Sequence, residues 1–182
     1  MGTLKQLLML QGEPILAHVL EHARNARLDP LIVVLGYGAR KVRAQIDFAS
    51  DTVVVAKDFT LGQSASLKAG LSRVPPHCDG ALFLLGDQPL IPSAVMDSLV
   101  DGFYRLGKDI IIPTCQGRRG NPVLIGRSLF PQLAALSGDT GARVLFQRYP
   151  ESIAEIEVKD RRVCIDIDTL EDYRKLKEQE DE

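Results

Sequence analysis

Four apolar runs in the first two thirds of the chain are short, rich in branched residues and continuous, without alternating polar positions. Strands that helices cover on both faces of a sheet have this pattern. The runs predict β-strands at 31–36, 52–56, 80–87 and 109–113. The segments before and between them predict helices at 14–28, 39–48, 64–74 and 92–106. Strands that alternate with helices imply crossover connections and a largely parallel sheet with helices on its faces.

The pattern changes after residue 113. Within 110–126 two apolar runs flank a turn rich in Gly, Arg and Asn, which predicts an antiparallel hairpin and therefore a mixed sheet. Further along, the pattern predicts helices at 128–136 and 140–148, strands at 152–158 and 162–167, and a charged helix from Thr169 onward. Because no internal repeat or linker interrupts the chain, we expect residues 1–182 to form a single α/β domain.

Composition narrows the classes of function. With 182 residues, 45% of them hydrophobic, the chain can bury one core without disulfides or structural metals. A formal net charge of -2 and few aromatic residues argue against binding to nucleic acid. Three cysteines without a C-x-x-C pair indicate reduced thiols, and no apolar run is long enough to cross a bilayer. We therefore expect a cytoplasmic protein that binds neither nucleic acid nor membrane.

The strongest local signal for chemistry is LFLLGDQPLIP at 82–92, where an apolar strand ends in a glycine and a carboxylate. Asp87 is thereby predicted at the C-terminal end of a strand, where ligands of parallel α/β sheets bind. Gly86 leaves the backbone open towards such a ligand. A carboxylate at this place suits a hard cation such as Mg²⁺, which takes oxygen ligands. The alternative is that Asp87 caps the following turn, and the pattern alone favours neither role.

Two more carboxylates belong to the last predicted strand. Asp166 and Asp168 alternate along CIDIDT and so lie on one face, where an inward acid needs a compensating charge. Metal ligation or substrate binding would supply that charge. For Asp168 we favour the role of N-cap of the helix that begins near Thr169, and for Asp166 a ligand role.

A glycine and small hydroxyl residues precede the helix predicted at 64–74. The side chains of Gln63, Ser64 and Ser66, together with free N–H groups of the first helical turn, predict a surface for a nucleobase edge or a phosphate. Capping of the helix by Ser64 explains part of the same pattern.

Arginines in two later turns are candidates for anion binding. Arg143 follows the glycine-rich turn SGDTG by one helical turn, with helix capping by Asp139 as the alternative interpretation. Arg118 and Arg119 lie at the tip of the predicted hairpin, where their forked donors suit a phosphate, although arginines at exposed turns are usually only solvated.

Seven motifs follow one another over nearly the whole chain: MG-x-x-K-x-L-L at 1–8, G-x-P-x-L at 12–16, G-x-S-x-S-L at 62–67, GDQP at 86–89, GRRGNPV at 117–123, GDTGAR at 138–143 and DIDT-x-EDY at 166–173. In this order they resemble the molybdenum-cofactor nucleotidyltransferase family, the guanylyl- and cytidylyltransferases that load a nucleotide onto molybdopterin. The cytidylyltransferase-like branch is the most similar. The GDQP motif by itself is not specific. It becomes specific only in combination with the other motifs.

The resemblance implies a Rossmann-like three-layer fold, with a mixed, mostly parallel sheet and helices on both faces. It also implies Mg²⁺-dependent transfer of CMP from CTP to the terminal phosphate of molybdopterin, with release of pyrophosphate and with CTP favoured over GTP. Such chemistry depends on positioning and charge neutralisation and needs no protein nucleophile. A molybdoenzyme is a further partner that the family suggests.

The same resemblance assigns roles to individual residues. Asp87 would hold Mg²⁺ between the α-phosphate and the attacking phosphate, with help from Asp166 or Asp168. Lys5 would contact the triphosphate and act with Asp87 in catalysis. The nucleotide-binding set is Lys5, Gln63, Ser64, Ser66, Gly86 and Asp87. The acceptor-binding set is Arg119, Asn121 and Arg143.

Two alternative functions remain open at this stage. One is a guanylyltransferase, or another nucleotidyltransferase that acts on a phosphorylated acceptor such as a sugar phosphate or an isoprenoid precursor. The other is a truncated, non-catalytic paralogue that binds a nucleotide or a molybdoenzyme without turnover.

The N-terminus departs from the family pattern. Family members begin with a strand and a loop resembling L-A-A-G-x-S-x-R-M-G, and Met1 and Gly2 align with the final M-G. We therefore expect an N-terminally truncated domain in which the first strand is missing, Met1 is an internal methionine, and turnover is weak or absent. The two strands beside the gap should have unpaired edges, unless the sheet closes or another chain fills the gap.

Overall fold

The computed structural model describes residues 4–165 and 169–178. The helices in these ranges are α1 (Ile15–Arg24), α2 (Ala39–Gln45), α3 (Gln63–Leu71), α4 (Ser93–Leu106), α5 (Phe130–Ala134), α6 (Val144–Arg148) and α7 (Leu170–Glu178). The strands are β1 (Met9–Leu10), β2 (Glu13–Pro14), β3 (Ile32–Leu35), β4 (Thr52–Val55), β5 (Gly80–Phe83), β6 (Ile110–Cys115), β7 (Arg118–Arg119), β8 (Val123–Gly126) and β9 (Ile153–Glu157). Short 3-10 helices occupy Lys5–Leu7, Phe59–Leu61, Arg127–Leu129, Pro150–Ser152 and Arg161–Cys164.

The described strands form a five-stranded mixed sheet, a two-stranded parallel sheet and a small hairpin of β1 and β2. In the larger sheet β8 lies between β5 and β6, while β7 and β9 also pair with β6. The β3–β4 and β6–β9 pairs are parallel and the other pairs are antiparallel. The predicted hairpin and mixed sheet are confirmed. Parallel pairs are fewer than predicted because the hairpin strand β8 lies between β5 and β6.

Helices cover the larger sheet on both faces, as the continuous apolar runs predict. Successive side chains of a strand point to opposite faces, and β6 shows this directly. Ile110 and Ile112 belong to a core cluster with residues of α3, α5 and α6. Ile111 belongs to a second cluster with Leu99 of α4. All three isoleucines are fully buried, so the core is organised around β6.

The smaller and larger sheets are separated by a cavity of about 830 Å³, which we call the inter-sheet cleft. Its rims are β3 and β5, and its walls are apolar side chains of α1 and α3. Within the described ranges β3 pairs only with β4, and β5 pairs only with β8. Among the described residues the expected unpaired edges are therefore present, and β3 and β5 do not pair with each other. For the same reason β3 and β5 are largely half-buried, whereas β6 and β8 are buried throughout.

Two predicted elements differ from the structure. The strand expected at 162–167 is, in its described part, a 3-10 helix that ends at Cys164. The Asp160 side chain caps this helix by accepting a hydrogen bond from the Arg162 N–H at 3.0 Å. The Arg162 side chain also bonds to Asp160 and lowers the pKa of that carboxyl. The helix expected at 140–148 is shorter and begins at Val144, because the residues before it pack against α3.

The strand predicted at 80–87 ends early, at Phe83. Residues 84–87 leave the sheet, and a hydrogen bond of 3.3 Å from the Gln88 N–H to the Leu85 carbonyl closes a turn around Gly86 and Asp87. Separately, none of the helices in the described part of the chain has the length and apolar composition needed to span a bilayer.

Candidate functional site

Polar side chains line one end of the inter-sheet cleft, where β3 and β5 finish and α3 begins. Leu16 of α1 belongs to the same core cluster as Leu35, the last residue of β3. A methyl group added at Gly86, beyond the end of β5, would lie 3.5 Å from the Leu16 side chain. β3 and β5 therefore finish at the same end of the inter-sheet cleft. We call this end the polar mouth; its lining includes Gln63, Ser66, Asp87, Asn121, Asp139 and Arg143.

Asp87 lies in the turn after β5, half-buried, and lines the polar mouth. A methyl group at Gly86 would make only ordinary contacts, at 3.5 Å or more, with the rest of the chain. Glycine is therefore not required there by neighbouring protein atoms. An open backbone beside a partly exposed carboxylate leaves room for a ligand, as the GDQP pattern predicts.

The residue after Asp87 connects this turn to the segment that contains the other two acids. Gln88 is buried, with 4% of its surface exposed, and its side-chain amide donates a hydrogen bond of 3.3 Å to the Ile165 carbonyl. Ile165 immediately precedes Asp166. Asp166 and Asp168 themselves lie outside the described residues, so their predicted roles as metal ligands remain predictions. Gln88 was not singled out from the sequence, although it is the third residue of GDQP.

The N-terminus of α3 differs from the prediction, because its donors are not free. The Gln63 N–H donates to the Asp139 carboxylate at 3.1 Å, and the Ser64 N–H and hydroxyl both donate to the Gly138 carbonyl. Ser64 is 3% exposed and is not the N-cap, a position that Gly62 holds. These N–H groups and the Ser64 hydroxyl hydrogen therefore have protein acceptors in this structure, and the nucleotide-binding roles of Gln63 and Ser64 remain predictions.

The donors of α3 are occupied by the glycine-rich segment at 137–143, which we call the clamp loop. The alternative considered for the sequence, capping of the following helix by Asp139, is wrong, because α6 has Arg143 as its N-cap and the Asp139 carboxylate accepts from the Gln63 N–H of α3 instead. The Gln63 side chain packs against Gly141 of the same loop, and Ser66 still lines the cleft.

The clamp loop carries Arg143 to the polar mouth. Arg143 donates a hydrogen bond of 3.3 Å from its guanidinium to the Asn121 side-chain oxygen. Asn121 is 6% exposed and its backbone N–H donates to the Val163 carbonyl at 2.9 Å, so the partner of Arg143 is firmly held. The structure thus brings together Asn121 and Arg143, two residues of the predicted acceptor set, and leaves most donors of the exposed guanidinium available.

Arg119, the third residue of that set, is located elsewhere. It lies on β7 and forms an ion pair with Glu155 of β9, with 2.6 Å between the guanidinium nitrogen and the carboxylate oxygen. Its guanidinium is also 6.0 Å from the centre of the Phe146 ring. Arg119 does not line the cleft, and its forked donors serve an exposed ion pair on the sheet surface.

Lys5 lies on the 3-10 helix Lys5–Leu7, beside the turn after β5. Its neighbour Gln6 lines the cleft, and Gln6 Cγ would lie 3.7 Å from a methyl group at Gly86. This places the short helix next to the turn of Asp87. Among residues 4–165 and 169–178, no group of three or more His, Cys, Asp or Glu could by itself hold a metal ion.

We expect Asp139→Ala to lower the free energy of unfolding by about 1 kcal/mol, because the Gln63 N–H loses its acceptor. Asp139→Asn is the matched control, since it removes the charge but keeps a side-chain oxygen that accepts the bond. Urea denaturation followed by circular dichroism measures both. Equal stability of the alanine and asparagine variants would contradict the capping role.

The fold and the polar mouth define an α/β domain of the nucleotidyltransferase class. The structure is similar to a nucleotidyl transferase from Methanothermobacter, with a TM-score of 0.81 over 96% of this chain and 84% of that one at 21% identity, which establishes the fold. The profile of the MobA-like NTP transferase domain matches residues 1–153. The chain therefore belongs to the MobA-like NTP transferase family, and it is a nucleotidyltransferase.

Several relatives resemble the chain over most of its length. Rv0371c from Mycobacterium tuberculosis H37Rv is 35% identical, with a TM-score of 0.87 over 97% of this chain and 90% of that chain. A structure of Rv0371c contains manganese. The purine catabolism protein PucB of Bacillus subtilis is 28% identical over 186 residues, which cover 95% of this chain and 87% of PucB.

A partial match extends to a larger protein. The bifunctional protein GlmU of Paraburkholderia phymatum is 32% identical over 116 residues, or 64% of this chain. The chain spans only 25% of the length of that GlmU. The match therefore concerns one part of GlmU and carries no inference about its remaining length.

Proposed function

We propose that the chain transfers CMP from CTP to the terminal phosphate of molybdopterin, with Mg²⁺ at Asp87 and release of pyrophosphate. The observation that carries this proposal is the hydrogen bond from Gln88 to the Ile165 carbonyl, which joins the turn of Asp87 to the residue before Asp166. Two acidic segments that are 77 residues apart in sequence are thereby joined at one place. A hard divalent cation at Asp87, with Asp166 as a further ligand, would take the oxygen donors that such ions prefer.

The donor set at the mouth supports a site for Mg²⁺ that is completed by substrate. Mg²⁺ in nucleotide sites takes one or two carboxylates and fills its remaining positions with phosphate oxygens and water. Asp87, with Asp166 or Asp168, would hold the ion, and bound Mg²⁺ would neutralise charge on the transferred phosphate.

The residues around Asp87 would act by binding and orienting the two substrates. Arg143 offers a forked donor to the phosphate of the acceptor, and Asn121 fixes its direction. Gln63 and Ser66 line the same mouth on the side of α3, where they would face the nucleotide. Lys5, next to Gln6, would reach the triphosphate from the N-terminal 3-10 helix. Catalysis then rests on alignment of two phosphates and needs no protein nucleophile.

The motif resemblance supports CTP and molybdopterin as the substrate pair, with a molybdoenzyme as the recipient of the product. The second candidate is a domain that binds the nucleotide without turnover. One observation favours this candidate: the clamp loop occupies the donors of α3 and adds the negative charge of Asp139 at that helix terminus. A triphosphate at the α3 terminus would meet repulsion where the sequence predicted attraction.

Pyrophosphate release tests the proposed reaction directly. The assay combines the chain with CTP or GTP, with and without molybdopterin, in the presence of Mg²⁺, Mn²⁺ or EDTA. We expect slow release that requires both the divalent ion and molybdopterin and that is faster with CTP. Tight CTP binding by calorimetry without pyrophosphate release would favour the non-catalytic candidate. Faster release with GTP, or release with a sugar phosphate as the acceptor, would replace the proposed substrates.

A further inference from the structure

Gly141 of the clamp loop lies directly against the side chain of Gln63. A β-carbon added at Gly141 would lie 2.4 Å from Gln63 Oε1, 2.9 Å from its Cδ and 3.3 Å from its Nε2. The shortest of these distances is closer than two such atoms can approach. The Gln63 carboxamide therefore occupies space that is open only because residue 141 has no side chain.

The backbone at Gly141 does not itself require glycine. Gly138 of the same loop has a positive φ of +68°, whereas Gly141 is not among the residues with a positive φ. Alanine is strained mainly where φ is positive, so its backbone would be tolerated at position 141. What glycine provides at this position is room for the Gln63 side chain.

The clamp loop also fixes the backbone of Gln63. The Gln63 N–H donates to the Asp139 carboxylate at 3.1 Å. The next residue, Ser64, is 3% exposed, and its hydroxyl donates to the Gly138 carbonyl at 2.8 Å. The loop therefore contacts Gln63 twice, at the backbone and along the carboxamide, and so sets the direction in which the carboxamide points.

The Gln63 carboxamide is available to a ligand. Gln63 is exposed and lines the polar mouth. Among the described residues, none forms a hydrogen bond with the carboxamide of Gln63. A carboxamide offers one acceptor and two donors in a plane, and the edge of a nucleobase offers donors and acceptors in a plane as well. The two groups can therefore form a pair of parallel hydrogen bonds, as glutamine does with adenine.

The charges nearby indicate which part of a nucleotide suits this side of the mouth. Asp139 adds a negative charge at the N-terminus of α3, where phosphates would be repelled. The positive charge of Arg143 lies at Asn121 instead. The uncharged base, and not the triphosphate, is therefore the part of a nucleotide that fits beside Gln63.

From these contacts we propose that Gly141 is a positioning residue for nucleotide recognition. It allows the Gln63 carboxamide to lie against the clamp loop, and in this position the carboxamide forms hydrogen bonds with the edge of the nucleobase. Gly141 acts through Gln63 and does not touch the nucleotide in this role. The inference rests on the proposed function, because it concerns the nucleotide of that same reaction.

A double-mutant cycle tests the proposal, with Gly141→Ala, Gln63→Ala and the combined variant titrated with CTP by calorimetry. Each single change should weaken CTP binding about tenfold, because the hydrogen bonds to the base are lost. The combined variant should bind no more weakly than Gln63→Ala, since the added methyl group then displaces nothing. Thermal melts of the parent chain and Gly141→Ala should coincide, because the displaced atoms are the end of a flexible side chain.

Tripolyphosphate, which has no base, is the matched control ligand. Its affinity should be the same for the parent chain and for every variant of the cycle. An equal loss of tripolyphosphate affinity in Gly141→Ala would indicate a general disturbance of the mouth and would overturn the proposal. The same holds if Gly141→Ala weakens CTP binding equally with and without the Gln63 side chain.

Nuclear magnetic resonance of ¹⁵N-labelled protein gives a measurement that does not depend on turnover. The side-chain NH₂ signals of Gln63 are those that Gln63→Ala removes. Gly141→Ala should shift these signals without any ligand, and CTP should shift them in the parent chain, whereas tripolyphosphate should not. A shift with GTP and none with CTP would replace the proposed nucleotide and support the positioning role. No shift with either nucleotide would overturn that role, even in a chain that releases pyrophosphate.

Discussion

Asp87→Asn is expected to lower metal-dependent turnover on the order of a hundredfold or more, because an amide cannot replace the negative charge that a divalent cation requires. Asp87 is half-buried at the open end of the inter-sheet cleft, and the change is nearly isosteric, so the fold should be unaffected. Pyrophosphate release measures turnover. Isothermal titration of CTP with and without Mn²⁺ measures metal-dependent binding and gives a readout even where turnover is slow.

The matched control is Asp79→Asn, the same change at the opposite end of β5. Asp79 is exposed and accepts a hydrogen bond of 3.0 Å from the Tyr104 hydroxyl, far from the polar mouth. This variant should retain metal-dependent binding and turnover. An Asp87→Asn protein that binds Mn²⁺ and CTP as tightly as the parent chain would rule out Asp87 as the metal ligand.

The second large effect is expected for Gly62→Ala, which should lower the free energy of unfolding by about 3 kcal/mol. Gly62 has a φ of +104°, and a β-carbon there would lie 2.5 to 2.6 Å from backbone atoms of Gly138 and Asp139. Neither neighbour is the flexible end of a side chain, so the clamp loop itself must move. Guanidinium denaturation measures the loss.

Gly117→Ala separates backbone strain from this collision. Gly117 also has a positive φ, of +74°, but a β-carbon there meets no atom within 4 Å. Its substitution should cost only about 1 kcal/mol. Equal losses for the two variants would mean that contact with the clamp loop contributes nothing at Gly62.

The sequence was sufficient for features that depend on local pattern. Continuous apolar runs located β3, β4, β5 and β6, and the turn of Gly, Arg and Asn located the hairpin of β6 and β8. The glycine and carboxylate after an apolar run placed Asp87 at the open end of the cleft. Burial, chain reversal and helix termini all follow from neighbouring residues, which is why these predictions agree with the structure.

Features that depend on distant partners were not predictable in this way. The residues near the start of α3 do not indicate which acceptors its N–H groups have. Those acceptors belong to the clamp loop, which lies more than 70 residues later in the sequence. Arg119 looks available at a turn, but Glu155 on β9 pairs with it. A 3-10 helix at Arg161–Cys164 replaces the predicted strand because Asp160 caps it locally. The alternation of apolar residues in this segment favoured a strand and gave no indication of the cap.

The clamp loop also has a consequence for the order of substrate binding. Asp139 of this short loop is bonded to α3, on the side proposed for the nucleotide, while Arg143 at the end of the loop is bonded to Asn121, on the side proposed for the acceptor. Because these two bonds hold one short loop, we expect a ligand that shifts either end to displace the other end as well. The affinities of the two proposed substrates would then be thermodynamically linked, and each substrate would alter the binding of the other by the same factor.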